Sequence, residues 1–434
     1  MLKRLFSSPS GTYLRSGPAR GSSLLRLLGG TIACCGAVFG LAACGSGGSG
    51  GSGSGGGSGP IVIGASISQT GDFSSDGNFV RQAYQLWADQ VNAQGGLLGR
   101  KVVMKFVNDA SSTEQVVTNY QNLISGDHVN LVFGPFSSLL TIPSSEIASR
   151  YGYAFVEPAG GSQVVFTRGL KNVFEAEPEA GYQDMEVFGR WLLSLPPSER
   201  PKTAAYVSEQ DPFIAPEVTA LRKVLEAGGV KTLYNQTYPI ESPDYSPLAL
   251  AVSNTHADVA VLGVNIPDGT AFTKDFIQQN YNPKAIIYAN GPDQGTSWVN
   301  KVGQHNLGGM AAPIGWLPTL GTYGNAQMVH AYLKKYGGTA AGMSNDVSEA
   351  YSVGQVIQQA VEKAHSLDNA KIIAALHSGM VFKTVQGNFG FNSIGEPAGS
   401  MFLGQWSGGK WQRVYPPAAA QTQPVYPKPA WGSS

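Results

Sequence analysis

Two short segments bring together residue types that can hold an anion. Ser137 and Ser138 come just after the apolar run Asn130-Leu131-Val132-Phe133 and before a helical pattern, and Ala159-Gly160-Gly161-Ser162 follow the run ending at Val156. Free N–H groups and a hydroxyl at a helix start concentrate partial positive charge, which suits a carboxylate. The same serines are also ordinary helix caps. An ammonium on the same ligand needs a carboxylate opposite it, because an unpaired cation out of water is very costly. Bond-breaking chemistry finds less support. The six histidines (His128, His256, His305, His330, His365, His377) are never spaced for ligation from one helix, and the only cysteines are Cys34, Cys35 and Cys44. The body thus has no thiol nucleophile, disulfide or Cys-based metal site. Gly45-Ser46-Gly47-Gly48-Ser49-Gly50 matches a dinucleotide fingerprint in form, and Gly47 to Gly51 a nucleophile elbow, but neither follows a strand or opens a helix. Glu175 and Glu177, either side of Ala176, read as residues at the mouth of a hinge and not as an acid and a base.

The start of the chain sets the compartment. Five of the 29 Lys and Arg residues lie in 1–59, where there is no acid, so the remaining 375 residues carry 24 basic against 29 acidic groups. A mildly acidic body without a basic run excludes nucleic acid as the expected partner, since phosphate binding needs clustered cations. The basic segment is followed by the uncharged stretch 27–40 and by Leu41-Ala42-Ala43-Cys44. This pattern reads as a secretion signal over 1–43 with a bacterial lipobox, whose Cys44 thiol is acylated and becomes the new N-terminus. Residues 45–59 are only Gly and Ser, a flexible tether, so 44–59 forms the lipidated linker.

These loops need a scaffold, and the rest of the chain describes one. From Pro60 onward, short apolar runs alternate with amphipathic segments: strands at 61–65, 101–107, 130–133 and 153–156, with helices at 78–92, 113–124 and 139–151 between them. A second series has strands at 203–207, 231–238, 258–262 and 285–288, with helices near 214–227, 246–254 and 269–279; further helices near 323–336, 346–365 and 370–377 follow. Alternation of this kind predicts βαβ crossovers, a parallel sheet and an α/β fold, and the length exceeds what one core normally supports. Two doubly wound parallel-sheet lobes are expected, with the late helices completing the first.

The residues also resemble a known family. Ile61-Val62-Ile63-Gly64, Gln69-Thr70-Gly71, Val91-Asn92-Ala93-Gln94-Gly95-Gly96 and Asn108-Asp109-Ala110-Ser111 are similar to the opening of the branched-chain amino acid (Leu/Ile/Val) type of periplasmic binding protein. Phe133-Gly134-Pro135-Phe136-Ser137-Ser138 and Glu157-Pro158-Ala159-Gly160-Gly161-Ser162 resemble its ligand-facing loops, and Gly387 to Asn392, Gly395 and Gln405 to Trp411 its closing strands. The resemblance implies a type I periplasmic binding fold joined by a three-segment hinge, with crossings near 178, 310 and 394. Lobe 1 is then 60–178 with 310–394, lobe 2 is 179–309 with 395–420, and 421–434 is a flexible tail. It also implies Ser138, Ala159, Gly160 and Gly161 against the ligand, with Ser162 standing in for the hydroxyl that Gly161 lacks. Gly291-Pro292-Asp293 resembles the segment that supplies the ammonium's partner, so Asp293 takes that role, with Asp76 and Asp211 as alternates. Phe213 stands where an aromatic covers the ligand, and Asn265 where a Tyr is frequent. Phe136 and Trp316 are candidates for an apolar wall or for the core.

The function expected is that of an extracytoplasmic, lipid-anchored protein, without cofactor or metal, whose lobes close on an amino acid, amide or small carboxylate and deliver it to an ABC permease. A sensory lipoprotein would use the same closure. A secreted hydrolase would need a triad built from Ser138 or Ser162 and one of the scattered histidines.

Overall fold

The computed structural model describes residues 59–434 apart from Glu241, Pro243, Ser400 and Ser434. The secretion signal, Cys44 and all but the last residue of the Gly/Ser tether lie outside the described residues.

The first sheet contains β1 (Ile61–Ile67), β2 (Val102–Asn108), β3 (Leu131–Phe133), β4 (Phe155–Glu157) and β5 (Val173–Glu175), all parallel, in the order β2-β1-β3-β4-β5. The second contains β6 (Thr203–Glu209), β7 (Lys231–Tyr238), β8 (Val259–Gly263), β9 (Ala285–Tyr288) and β10 (Met310–Ile314), parallel, in the order β7-β6-β8-β9-β10. A small hairpin of β11 (Phe382–Thr384) and β12 (Gly387–Phe389) stands apart. The antiparallel pair β13 (Phe402–Ser407) and β14 (Lys410–Tyr415) extends the second sheet beyond β10. Both parallel sets reverse order beside their first strand. At such a switch point the connecting helices leave on opposite faces and open a crevice outside the carboxyl ends of the strands.

Burial on both faces explains the unbroken apolar runs of the second sheet. Ala205, Val207, Ala260, Leu262, Ile286 and Tyr288 enter one core, while Ala204, Tyr206, Val259, Val261, Ala285 and Ile287 enter the other. The first lobe has a single joined core that includes the late helices Asn325–Tyr336, Asp346–Ala364 and Asn369–Leu376. Helix Ser74–Ala93 packs on helix Asp346–Ala364 at close range, where a Cβ on Gly354 would overlap the Trp87 indole.

Three expectations need correction. The first helix starts at Ser74, not 78, and so includes Asp76, which was placed in a loop. Ser, Asp and Gly favour turns locally, but here a Cβ on Gly77 would overlap the Ser68 carbonyl and Asp76 is buried, so packing overrides propensity. The strand at 310–314 belongs to the second sheet, paired with β9 and β13, so the middle crossing lies after Ile314 and not at 310. Apolar pattern marks a strand but not which sheet it joins. The tail 421–434 is packed: the Val425 N–H donates to Gln405 Oε1 at 2.6 Å, the Lys428 N–H to the Lys284 carbonyl at 2.7 Å and the Trp431 indole to the Tyr281 carbonyl at 2.7 Å. Its aromatic residues find apolar surface on the second lobe, which the short Pro-rich sequence did not reveal.

Candidate ligand-binding site

The loops after β3, β4, β6, β8 and β9 converge on a cavity between the two lobes. Its apolar walls are Phe136, Phe213, Ile214, Ala289, Pro313 and Met401. Residues from the two sides bond across the cleft. Gln294, in the loop after β9, donates to Asp346 Oδ1 at 3.1 Å and accepts from the Ser344 hydroxyl. Ser75 and Ser297 hydroxyls lie 3.4 Å apart.

The charged lining is entirely acidic. Asp346 and Glu349 come from helix Asp346–Ala364, Glu177 from the crossing after β5, and Asp184, Asp211, Glu217 and Asp293 from the second lobe. Among the described residues, no Lys, Arg or His lines the cavity. None of the ion pairs formed among the described residues involves these acids. Burial is the main force on their ionisation, and mutual repulsion adds to it. Burial, then the charge of Asp346, pushes Asp293 up to about 7. Glu177, Asp184, Glu217 and Glu349 rise well above the carboxylate range, again through burial first and neighbouring acids second. Asp211 is raised less simply: burial lifts it, while the N–H groups of Phe213 and Ile214, at 2.7 and 3.2 Å, support its charged form.

The residues singled out in the sequence separate into two groups. Ala159, Phe136, Phe213, Asn265, Asp211 and Asp293 line the cavity. Asp293 Oδ1 accepts from the Gly291 N–H at 3.0 Å, and Asn265 donates to Glu209 Oε2 at 2.8 Å. Asp76 stands behind them, facing Asp346. Ser138, Gly160, Gly161, Ser162 and Trp316 do not line it. Ser138 is fully buried and its hydroxyl accepts the Ser162 N–H at 3.0 Å. Ser137, the residue before it, faces the cavity instead, with φ +77°. The Gly160 N–H is taken by the Glu157 carboxylate, and a Cβ on Gly161 would overlap the carboxylate of Glu175. Ser162 Oγ is buried without a partner among the described residues. Trp316 donates to Asn325 at 2.7 Å and belongs to the first core. Of the two loops that sequence chemistry prepared for an anion, 159–162 is thus occupied by the protein's own acids, while 137–138 keeps Ser137 against the cavity. Burial pushes Glu157 up to about 8, against the pull of the Gly160 and Ala159 N–H groups.

Sequence reasoning missed Glu217, Asp184, Asp346 and Glu349, and set Glu177 aside as a hinge residue although it lines the cavity. One signal was available. Glu217 falls on the same helical stripe as Ile214, Val218, Leu221 and Leu225, all buried, and Asp346 and Glu349 are interleaved with buried Val347, Ala350 and Val353. An acid on an apolar stripe is an anomaly that asks for a function.

Two α/β lobes with a cleft at the carboxyl ends of both sheets define a bilobal binding protein. The sequence profile of the periplasmic binding protein family matches residues 60–410, so the chain belongs to that family. It is 27% identical over 377 residues to Leu/Ile/Val-binding protein homolog 7 of Brucella suis biovar 1, covering 84% of this chain and 93% of that one. The leucine binding protein LivK from Thermotoga maritima superposes with a TM-score of 0.72 at 15% identity, over 82% of this chain and 98% of that one. An ABC transporter solute binding protein from R. palustris, in complex with benzoate, gives a TM-score of 0.72 at 18% identity, over 84% and 98%. At these identities the two structures share the fold, while their ligands are their own.

Proposed function

We propose that this protein is an extracytoplasmic solute-binding lipoprotein, held at the membrane through Cys44, which captures a small ligand between its lobes and hands it to an ABC importer. The observation that carries this reading is the cavity walled by loops of both sheets and joined across by Gln294 and Asp346. Lobe 1 then comprises 60–176 with 316–392, and lobe 2 comprises 177–314 with 401–434, following the sheet to which each strand belongs. A ligand that bonds to both walls stabilises the closed form by its difference in affinity for closed and open states, and a permease can read that shape. No bond need break. An amino-acid-like ligand, the class the resemblance implies, has carboxylates available for its ammonium in Asp293 and its neighbours. Its own carboxylate has no free donor set at 159–162, where Glu157 and Glu175 already sit.

The reading is tested by a thermal-shift screen of the purified protein against amines, amino acids and carboxylic acids, with small-angle scattering on each hit. A ligand that binds only the folded form raises Tm, and it should do so without being consumed. Chemical turnover of a hit would replace binding by catalysis.

A further inference from the structure

The cavity rejects the charge that its loops were expected to hold. A ligand carboxylate reaching 159–162 meets Glu157, which already takes the Gly160 N–H, and Glu175, packed against Gly161. Three of the four lining amides have their N–H groups turned onto acids, and the fourth, Asn290, accepts from Gln294. Asn265 donates to Glu209, Gln294 to Asp293 and Asp346, and Asn345 to Glu349. Beyond them, two oxygens of lining residues have no partner among the described residues, Asp184 Oδ1 and Glu217 Oε2, while Asp346 shares its other carboxylate oxygen with buried Asp76. Asp184 and Glu217 are almost wholly buried, at 3% and 1% exposure. Buried acceptors without donors are rare and costly, so two beside one cleft mark where a ligand's donors belong. Among the described residues no group of three or more acids, histidines or cysteines is arranged to hold a metal ion. The donors are then N–H groups of an organic molecule.

We propose that the solute is a small organic cation with two or more amine or guanidine nitrogens and no carboxylate, gripped by Asp346 on one lobe and by Asp184 and Glu217 on the other. This rests on the reading of the cavity as a solute site. The arrangement makes closure itself the pairing step: each end of the ligand finds its counter-charge on a different lobe, so bringing the lobes together satisfies both. Phe136, Ile214 and Pro313 supply apolar contact for a methylene stem, and Phe213 adds an aromatic ring to the lining, a group that attracts cations.

The test compares molecules that differ only in the disputed group. The purified full-length protein is titrated by calorimetry and thermal shift with cadaverine against lysine, and agmatine against arginine, with leucine, benzoate and calcium chloride alongside. Cadaverine or agmatine is expected to raise Tm and to bind at least about tenfold more tightly than its amino acid counterpart, since a carboxylate brought among buried acids is repelled. Glu217→Gln and Asp346→Asn should each weaken the amine roughly 30-fold. Each should also raise the Tm of the ligand-free protein at neutral pH, because it removes a buried acid whose charged form is disfavoured by burial first; acids with a merely structural role would lower it. Lysine or arginine binding as well as its decarboxylated partner, or leucine or benzoate saturating while both amines are inert, overturns the cationic assignment and leaves the solute-binding reading standing. Stabilisation by calcium alone also overturns it. No response to any of these compounds, by Tm or by scattering, removes the proposed function and this inference with it.

Discussion

The side chain of Gln294 bonds twice across the cleft: its amide donates to Asp346 Oδ1 at 3.1 Å and its oxygen accepts from Ser344. One buried residue of the second lobe thus connects to the start of helix Asp346–Ala364 in the first, beside the acids that line the cavity. The same group that joins the lobes also neutralises part of a carboxylate.

Gln294→Ala is therefore expected to shift the lobes towards the open state. A hydrogen bond to a charged group contributes about 1.5–3 kcal/mol, enough for a tenfold or larger change in the ratio of closed to open. Small-angle scattering should give a larger radius of gyration for the ligand-free variant than for wild type. Equal radii would mean that other contacts hold the cleft.

Stability should depend on pH in the direction set by the buried acids. Asp293 sits at about 7, and Glu157 and Glu209 at about 8, against ordinary values of 3.8 and 4.5. A carboxyl raised on folding binds its proton more tightly in the folded state. Its contribution is full below the unfolded value and is lost as pH rises through the folded one. The Tm of the ligand-free protein should then be highest in mild acid and fall between about pH 5 and pH 8. A Tm that stays flat or climbs over that interval contradicts this account.

Ser138→Ala separates support of a loop from contact with ligand. The substitution removes one of two acceptors of the buried Ser162 N–H, the other being the Gly160 carbonyl at 3.0 Å, at a cost of about 0.5–1.5 kcal/mol. The ligand-free Tm should fall, while the affinity of any hit from the thermal screen changes by less than about threefold, below 1 kcal/mol. A large loss of affinity with Tm intact would return Ser138 to the ligand's surroundings.

Gly354→Ala probes the crossing of the two long helices of the first lobe. Alanine alone would favour the helix by up to about 1 kcal/mol, but here its Cβ overlaps the Trp87 indole. Overpacking of this kind costs about 1–3 kcal/mol, so the clash should win and Tm should drop. Adding Trp87→Leu should recover part of the loss. A variant as stable as wild type would show that the helices can slide apart cheaply.

Cys44→Ala should release the protein from the membrane. The sequence Leu41-Ala42-Ala43-Cys44 reads as a lipid attachment signal, and acyl chains rather than a spanning helix would then hold the body. Fractionation of the wild type should find it with membranes and the variant in the soluble fraction. A variant that stays with the membranes would point to an uncleaved anchor.

Much of the fold was legible because its strands are buried on both faces. Runs such as Val259–Gly263 and Ala285–Tyr288 are apolar without a break, and a parallel sheet covered by helices leaves them no alternative. What stayed hidden was assignment. β10 reads as a strand from its residues, but only its pairing with β9 and β13 puts it in the second lobe. The site was less legible still. Glu217 and Glu349 look like ordinary helical acids until the rotation of each helix is known, and Ser138 looked available until Ser162 was found bonded to it.

By itself, the order of residues determined the class of architecture and the absence of cysteine from the body, because each depends on local pattern or composition alone. Tertiary structure decided the sign of the cavity. Acids separated by more than a hundred residues, such as Asp184 and Asp346, share one cavity only after two sheets are wound and closed, and electrostatics acts through space rather than along the chain.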